Sequence, residues 1–335
     1  VPLTFIGEAL GAFGVGGSAE VVLAATSFNT VYRVTTEGVR YALRVSPSER
    51  IHPPGTEQVE SDWMRALRVS GRVRVPQMLS TLEGKPVAVV REASQGDLTC
   101  SLFEWLDGPN LAAVMTPRAA AGLGGLAATL HDLSAPHPLP QSPPLVADRV
   151  LYWEVEDRLA QVALGGRLDE ALDEAEAALE QVWASGFPQL IHGDLTPANV
   201  IVHDGRPCPI DFQDLVWGYP VQDIAFSLSS LGRFPEPETL RRAFREGYVK
   251  HRPWPNNADA VIPGLLVGRI LHQMNLSLAH PRPGLDAALD RMSRGILDIL
   301  IRRDRPRSEA APDSRSSSPR FRGRPCSLGS IAERP

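Results

Sequence analysis

Lysine is almost missing from this chain: Lys85 and Lys250 are the only two among 34 basic residues. Any task that needs a positive charge elsewhere falls to arginine, which is always charged and pairs bidentately with carboxylate or phosphate. Cysteine is scarce too. Cys100, Cys208 and Cys326 stand far apart, which excludes a disulfide framework and a CxxC metal or redox motif. No apolar run reaches the ~18 residues that cross a bilayer, so no membrane partner is expected. The first basic residue is Arg33 and Glu8 interrupts the apolar start. The charged n-region of a secretory signal is therefore missing, and a cytoplasmic location is expected. The body lacks a basic patch interleaved with aromatics and the net charge is -5; both argue against nucleic acid as a partner.

What is present suits a globular chain of one large domain or two lobes: 335 residues, 43% hydrophobic and 22% charged. Arg302 to Pro335 holds nine Arg against four acids, so the acidity belongs to the residues before it. Arg, Ser and Pro dominate from Arg303 without apolar periodicity, which predicts a disordered tail over 303–335. Short runs of Val, Tyr and Thr predict strands at 20–25, 30–35 and 39–45, then 75–80, 86–91 and 98–105. One helix interrupts them, from an N-cap at Thr56 to Gly71, with Val59, Trp63, Met64 and Leu67 at helical spacing. These form a small antiparallel sheet unit over 1–104. Helices then predominate over 105–302, at 117–133, 148–164, 167–186, 220–231, 237–251, 262–280 and 285–302. The glycine-rich stretch Gly11 to Gly17 precedes the first strand, and we read it as a flexible turn rather than a nucleotide loop.

The chemistry concentrates in His192-Gly193-Asp194-Leu195-Thr196-Pro197-Ala198-Asn199 and in Ile210-Asp211-Phe212. Asn199 and Asp211 lie six residues either side of Gly205. If Asp204-Gly205 turns a hairpin, its flanking strands bring the two together at the open end. An amide oxygen beside a carboxylate offers hard oxygen ligands, suited to Mg2+ shared with substrate phosphates. Asp194, on the entering loop, is then placed to accept the proton of an attacking hydroxyl. The spacing matches the kinase catalytic loop, His-Arg-Asp-Leu-x-x-x-Asn, and the Asp-Phe-Gly metal site. Gly193 replaces the Arg and Gln213 the Gly. Without that Arg there is no cationic hook for an activation-loop phosphate.

At these residues the chain resembles the aminoglycoside phosphotransferase and choline kinase-like family, from about Asn29 to Arg302. The resemblance extends to Ile210-Asp211-Phe212-Gln213-Asp214 and Asp223-Ile224-Ala225. It implies an α+β, bilobal protein-kinase-like fold with a small antiparallel-sheet N-lobe and a larger, mainly helical C-lobe. The activity implied is transfer of the γ-phosphate of ATP, with Mg2+, to a hydroxyl acceptor: an aminoalcohol, aminoglycoside, sugar or homoserine-like small molecule. A protein Ser/Thr kinase of the stress-response type and a nucleotide-binding pseudokinase remain alternatives. Leu102 to Gly108 looks like the inter-lobe hinge, where backbone groups near Glu104 and Leu106 would contact adenine. Arg44 occupies the third-strand position of the kinase phosphate-gripping Lys, with Glu60 on the next helix as its partner and Glu57 as the rival. The phosphate-covering loop falls between the first two strands, with Ser27 and Asn29 able to present polar groups. Asp223 would tether the catalytic-loop backbone, His192 would be a packed loop residue, and Asp214 would line the acceptor pocket or face solvent.

Overall fold

The computed structural model describes residues 4–47, 51–92, 96–135, 145–184 and 186–304. It opens with a helix that the sequence reading did not anticipate, α1 (Thr4–Ala12). Phe5, Ile6, Ala9 and Leu10 of α1 are buried in one cluster with Val34, Leu43, Val90 and Leu102 of the sheet. Its two internal glycines and lack of basic residues hide the helix in the sequence; the apolar face it lends to the sheet makes it form. The glycine-rich stretch is accordingly split, Gly11 lying in the last turn of α1 while Gly14 and Gly17 turn at positive φ.

Strands β1 (Glu20–Thr26), β2 (Thr30–Thr36) and β3 (Val39–Ser46) form the expected meander, with Glu37 and Gly38 both at positive φ in the second turn. Helix α2 (Thr56–Ser70) follows. Thr56 is its first residue rather than its N-cap; Gly55 takes that place, and Gly71 closes the helix in left-handed conformation. Next come β4 (Met78–Leu79), β5 (Ala88–Glu92) and β6 (Gly96–Glu104). The sheet order is β1-β2-β3-β6-β4, all antiparallel, with β5 also on β6.

The helical lobe begins with α3 (Pro117–Ser134), capped by the Thr116 hydroxyl, and continues with α4 (Leu168–Trp183). Strand β7 (Gln189–Ile191) leads into the hairpin β8 (Val200–His203) and β9 (Arg206–Pro209). Strand β10 (Val216–Gly218) returns to pair with β7. Helices α5 (Pro220–Leu231), α6 (Pro237–Val249), α7 (Ala258–Ala279) and α8 (Leu285–Asp304) complete the lobe. Helix α7 starts earlier than its pattern suggested and runs through Pro263, which lies near its N-terminal end. Helix α8 ends at Asp304, where Arg303 pairs with Glu174 at 3.0 Å and with Glu170. The helix thus extends into the start of the expected tail; the rest of that segment, with Cys326, lies outside the described residues.

The helix expected over 148–164 does not form; the segment is irregular apart from a 3-10 turn at Leu159–Gln161. Val150, Tyr152, Trp153, Leu159, Val162 and Leu164 are nevertheless buried, which accounts for the misleading periodicity. Helix α7 satisfies the backbone instead. Asn275 accepts from the Arg158 N–H at 2.6 Å and donates to the Glu156 carbonyl at 3.1 Å, while His272 Nδ1 lies 2.8 Å from the Val150 carbonyl.

Candidate active site

The β8–β9 hairpin turns on Asp204 and Gly205, both at positive φ, and pairs Val200 with Pro209 through His203 with Arg206. One step beyond this register, the Ile210 N–H donates to the Asn199 carbonyl at 2.9 Å. Asn199 and Asp211 therefore meet at the hairpin's open end. The amide Nδ2 of Asn199 donates to Asp194, at 2.7 Å to Oδ2 and 3.0 Å to the carbonyl oxygen. This occupies the nitrogen and leaves Asn199 Oδ1 as the free acceptor.

The loop carrying Asp194 hangs from Asp223 at the start of α5. Asp223 is fully buried and accepts from the His192 N–H at 2.9 Å and the Gly193 N–H at 2.8 Å; His131 lies 3.2 Å away. Burial works to raise this carboxyl, but His131, His192 and these bonds hold it below the usual range. His192 is buried and packs on Phe212. Gly193 sits at φ 77°, and a Cβ there would come within 2.1 Å of the Asp214 carbonyl oxygen. No Arg fits that position. Gly193→Ala is expected to cost at least ~1–2 kcal/mol for the left-handed backbone alone, seen as a lower denaturation midpoint, with turnover falling as the loop shifts.

Asp194 has a partner that the sequence did not reveal: Arg269 of α7 donates to its Oδ1 at 2.8 Å. The Arg269 guanidinium lies over Phe226 and Trp153 and within 3.4 Å of the Tyr152 hydroxyl. An Arg inside a helical pattern carries no local signal of such a role. Burial raises the Asp194 carboxyl, aided by Asp214 and opposed by Arg269.

Arg44 of β3 and Glu60 of α2 form the expected pair, with Nη1–Oε1 at 2.9 Å and Nη2–Oε2 at 2.6 Å and side chains 7% and 1% exposed. Arg44 also reaches Asp211 at 3.3 Å, so one guanidinium spans both lobes. The walls of the cleft take water from the Asp211 carboxylate and push it up to about 6 against the pull of Arg44, and Asp214, Glu60 and Asp194 add to the rise. The side chain is itself 43% open to the cleft, so this desolvation comes from the surrounding walls rather than from enclosure. A carboxyl raised from ~3.9 unfolded holds its proton in the fold through that window. It therefore costs stability above pH 6 and none below pH ~4. Asp211→Asn should accordingly raise the melting temperature at pH 8 by about 1–3 °C and leave it nearly unchanged at pH 4.

Asn29, on the β1–β2 loop, donates to Gln213 Oε1 at 2.6 Å; Gln213 Nε2 lies 3.2 Å from His52 Nδ1, and His52 Nε2 lies 2.6 Å from Asp214 Oδ1. The amide donors at one end and the carboxylate at the other select the Nε2–H tautomer of His52. Asp214 is thus tied to His52 and does not simply face solvent; burial works to raise its carboxyl, but His52, Arg269 and His192 together hold it low. Neither His52 nor the Gln213 bridge carried a signal in the sequence. Ser27, Asn29, His52, Asp194, Asp211 and Asp214 all line one cavity of about 430 Å³. The hinge residues lie apart from it. Leu106 is buried, while the Glu104 carboxylate turns to Arg74 and to Arg68, the latter at 3.4 Å.

A small antiparallel sheet whose buried Arg44–Glu60 pair reaches across to Asp211 of a helical lobe, with Asp194 and Asn199 beside it, defines a protein-kinase-like phosphotransferase. The comparisons with known proteins agree. The model of APH, the Phosphotransferase enzyme family, matches residues 19–256, and the chain belongs to that family. Amicoumacin kinase of Bacillus subtilis (strain 168) is 24% identical over 279 residues, covering 78% of this chain and 80% of its own. The solved structure of a microcompartment-associated aminopropanol kinase superposes with a TM-score of 0.72 at 24% identity, over 88% of this chain and 95% of that one. The amicoumacin kinase hAmiN, in complex with AMP-PNP, Ca2+ and amicoumacin, gives 0.63 at 20% identity, over 83% and 88%. Among the described residues no helix is long and apolar enough to cross a membrane.

Proposed function

We propose that this phosphotransferase moves the γ-phosphate of ATP to a hydroxyl of an amine-bearing small molecule, with Asp194 as the proton acceptor. The observation that supports this most is that Asp194 and Asp211 line one cavity, with Asn199 bonded to the first and Arg44 to the second. Among the described residues no group of three His, Cys, Asp or Glu could hold a metal. The donor set instead fits Mg2+ held jointly with a nucleotide: the free Asn199 Oδ1, and an Asp211 carboxylate crowded by other acids. Such an ion supplies charge neutralisation between the phosphate groups.

The protein residues do the positioning. Arg44, held flat by Glu60, presents its charge toward the phosphates beside Asp211. Ser27 and Asn29 close over them from the β1–β2 loop, and backbone groups near Glu104 and Leu106 hold the adenine. Arg269 and Asn199 take one oxygen each of Asp194 and fix the carboxylate, leaving lone pairs for the incoming hydroxyl. Two polar atoms of the cavity-lining residues, Asn29 Oδ1 and Trp153 Nε1, have no partner among the described residues, which supports a polar ligand there. The acids of the cavity, and the amines acted on by the kinases this chain resembles, support a cationic acceptor.

The test is Mg2+-dependent ADP release by the purified chain against aminoalcohols, aminoglycosides, sugars and homoserine. Stimulation by an amine-bearing member supports the reading. Turnover only with amine-free sugars would overturn the acceptor class, and failure to bind Mg-ATP would overturn the whole.

A further inference from the structure

A second cavity, of about 760 Å³, shares no lining residue with the Asp194 cleft. The end of α2 and residues 71–75 form one side; α3, α6 and the β8–β9 hairpin form the other, so both lobes contribute. Its lining includes Arg68, Arg72, Arg74, Arg206 and Lys250, and no Asp or Glu lines it. In a chain of net charge -5 with two lysines, this is a marked local excess of positive charge.

Acids from outside the cavity hold three of these arginines. Glu104 pairs with Arg68 and Arg74, and Asp132 pairs with Arg72 at 2.7 Å. Arg206 and Lys250 face the cavity without an ion pair among the described residues. A concave site of this volume suits a small ligand, and guanidinium forks with an ammonium suit phosphate oxygens.

We propose that this cavity binds a phosphorylated small molecule, at a site separate from the nucleotide cleft. Arg206 and Lys250 supply the uncommitted charge. Arg68 and Arg74 exchange part of their pairing with Glu104 for the ligand, which links the site to the last residue of β6.

Fructose 1,6-bisphosphate serves as the probe, titrated calorimetrically into the full chain with the cleft filled by Mg2+ and AMP-PNP. Filling of the cleft is measured first, so its failure is read separately. One further binding event is expected, at least tenfold weaker for inorganic phosphate and absent for fructose. In the double variant Arg206→Ala/Lys250→Ala, affinity should fall at least tenfold while melting temperature and ADP release stay unchanged. Lys85→Ala, outside the cavity, should bind as the unsubstituted chain does. Absence of the event, equal binding of inorganic phosphate, or unchanged affinity in the double variant would each overturn the proposal.

Discussion

Asp194→Ala should lower kcat by about three orders of magnitude, within the range that a positioned proton acceptor contributes, while the affinity for Mg-ATP changes little. The carboxylate touches Asn199 and Arg269 and stands on the loop hung from Asp223. Its removal leaves Arg44, Asn199 and Asp211 in place. A single-turnover measurement at saturating nucleotide and acceptor isolates the transfer step. Loss of nucleotide binding with unchanged transfer would instead place Asp194 among the nucleotide contacts. The companion Arg269→Met should give a smaller fall in kcat and shift its acid limb to higher pH. Removing the guanidinium takes away a charge that opposes the rise of the Asp194 carboxyl.

Glu60→Ala should strongly destabilise the sheet lobe. The Arg44–Glu60 pair is buried and bidentate, and deleting one member strands an uncompensated charge at a cost of about 3–5 kcal/mol. Asp211, at 3.3 Å, recovers only part of it. Chemical denaturation would show a lower midpoint at unchanged slope. The double variant Arg44→Met/Glu60→Leu should regain most of the lost stability, since apolar groups of similar size need no desolvated partner. It should not regain turnover, because the charge that spans the lobes is gone. Recovery of both would mean that the pair serves stability alone.

The readable parts of the molecule are those specified by local chemistry. A turn at Asp204-Gly205 fixes a hairpin, and the hairpin register brings Asn199 and Asp211 together; each link is short in sequence. Arg44, with Glu60 as partner and Glu57 as rival, is read from the third-strand position of the kinase Lys, and Asp223 from the resemblance. Arg269, His52 and the irregular path of 148–164 were not legible, because they depend on packing between distant segments. Arg269 reaches Asp194 across 75 residues and His52 reaches Asp214 across 162. The 148–164 segment has the apolar spacing of a helix, yet Asn275 and His272 of α7 offer its backbone a competing set of partners. Helix α1 was missed for the opposite reason: its own sequence is a weak helix former, and the sheet beneath it decides.

Synthesis runs from the N-terminus, so a chain that has left the ribosome only as far as Asp223 already displays every motif by which it can be recognised. Arg269 has not yet emerged at that point. The loop is tethered, yet the guanidinium that holds Asp194 arrives only with α7, as does the side-chain scaffold for 148–164. A message cut short before α7 therefore encodes a fragment that reads as a kinase but lacks one of the two side chains that hold the Asp194 carboxylate. Competence for phosphoryl transfer is a property acquired late in translation.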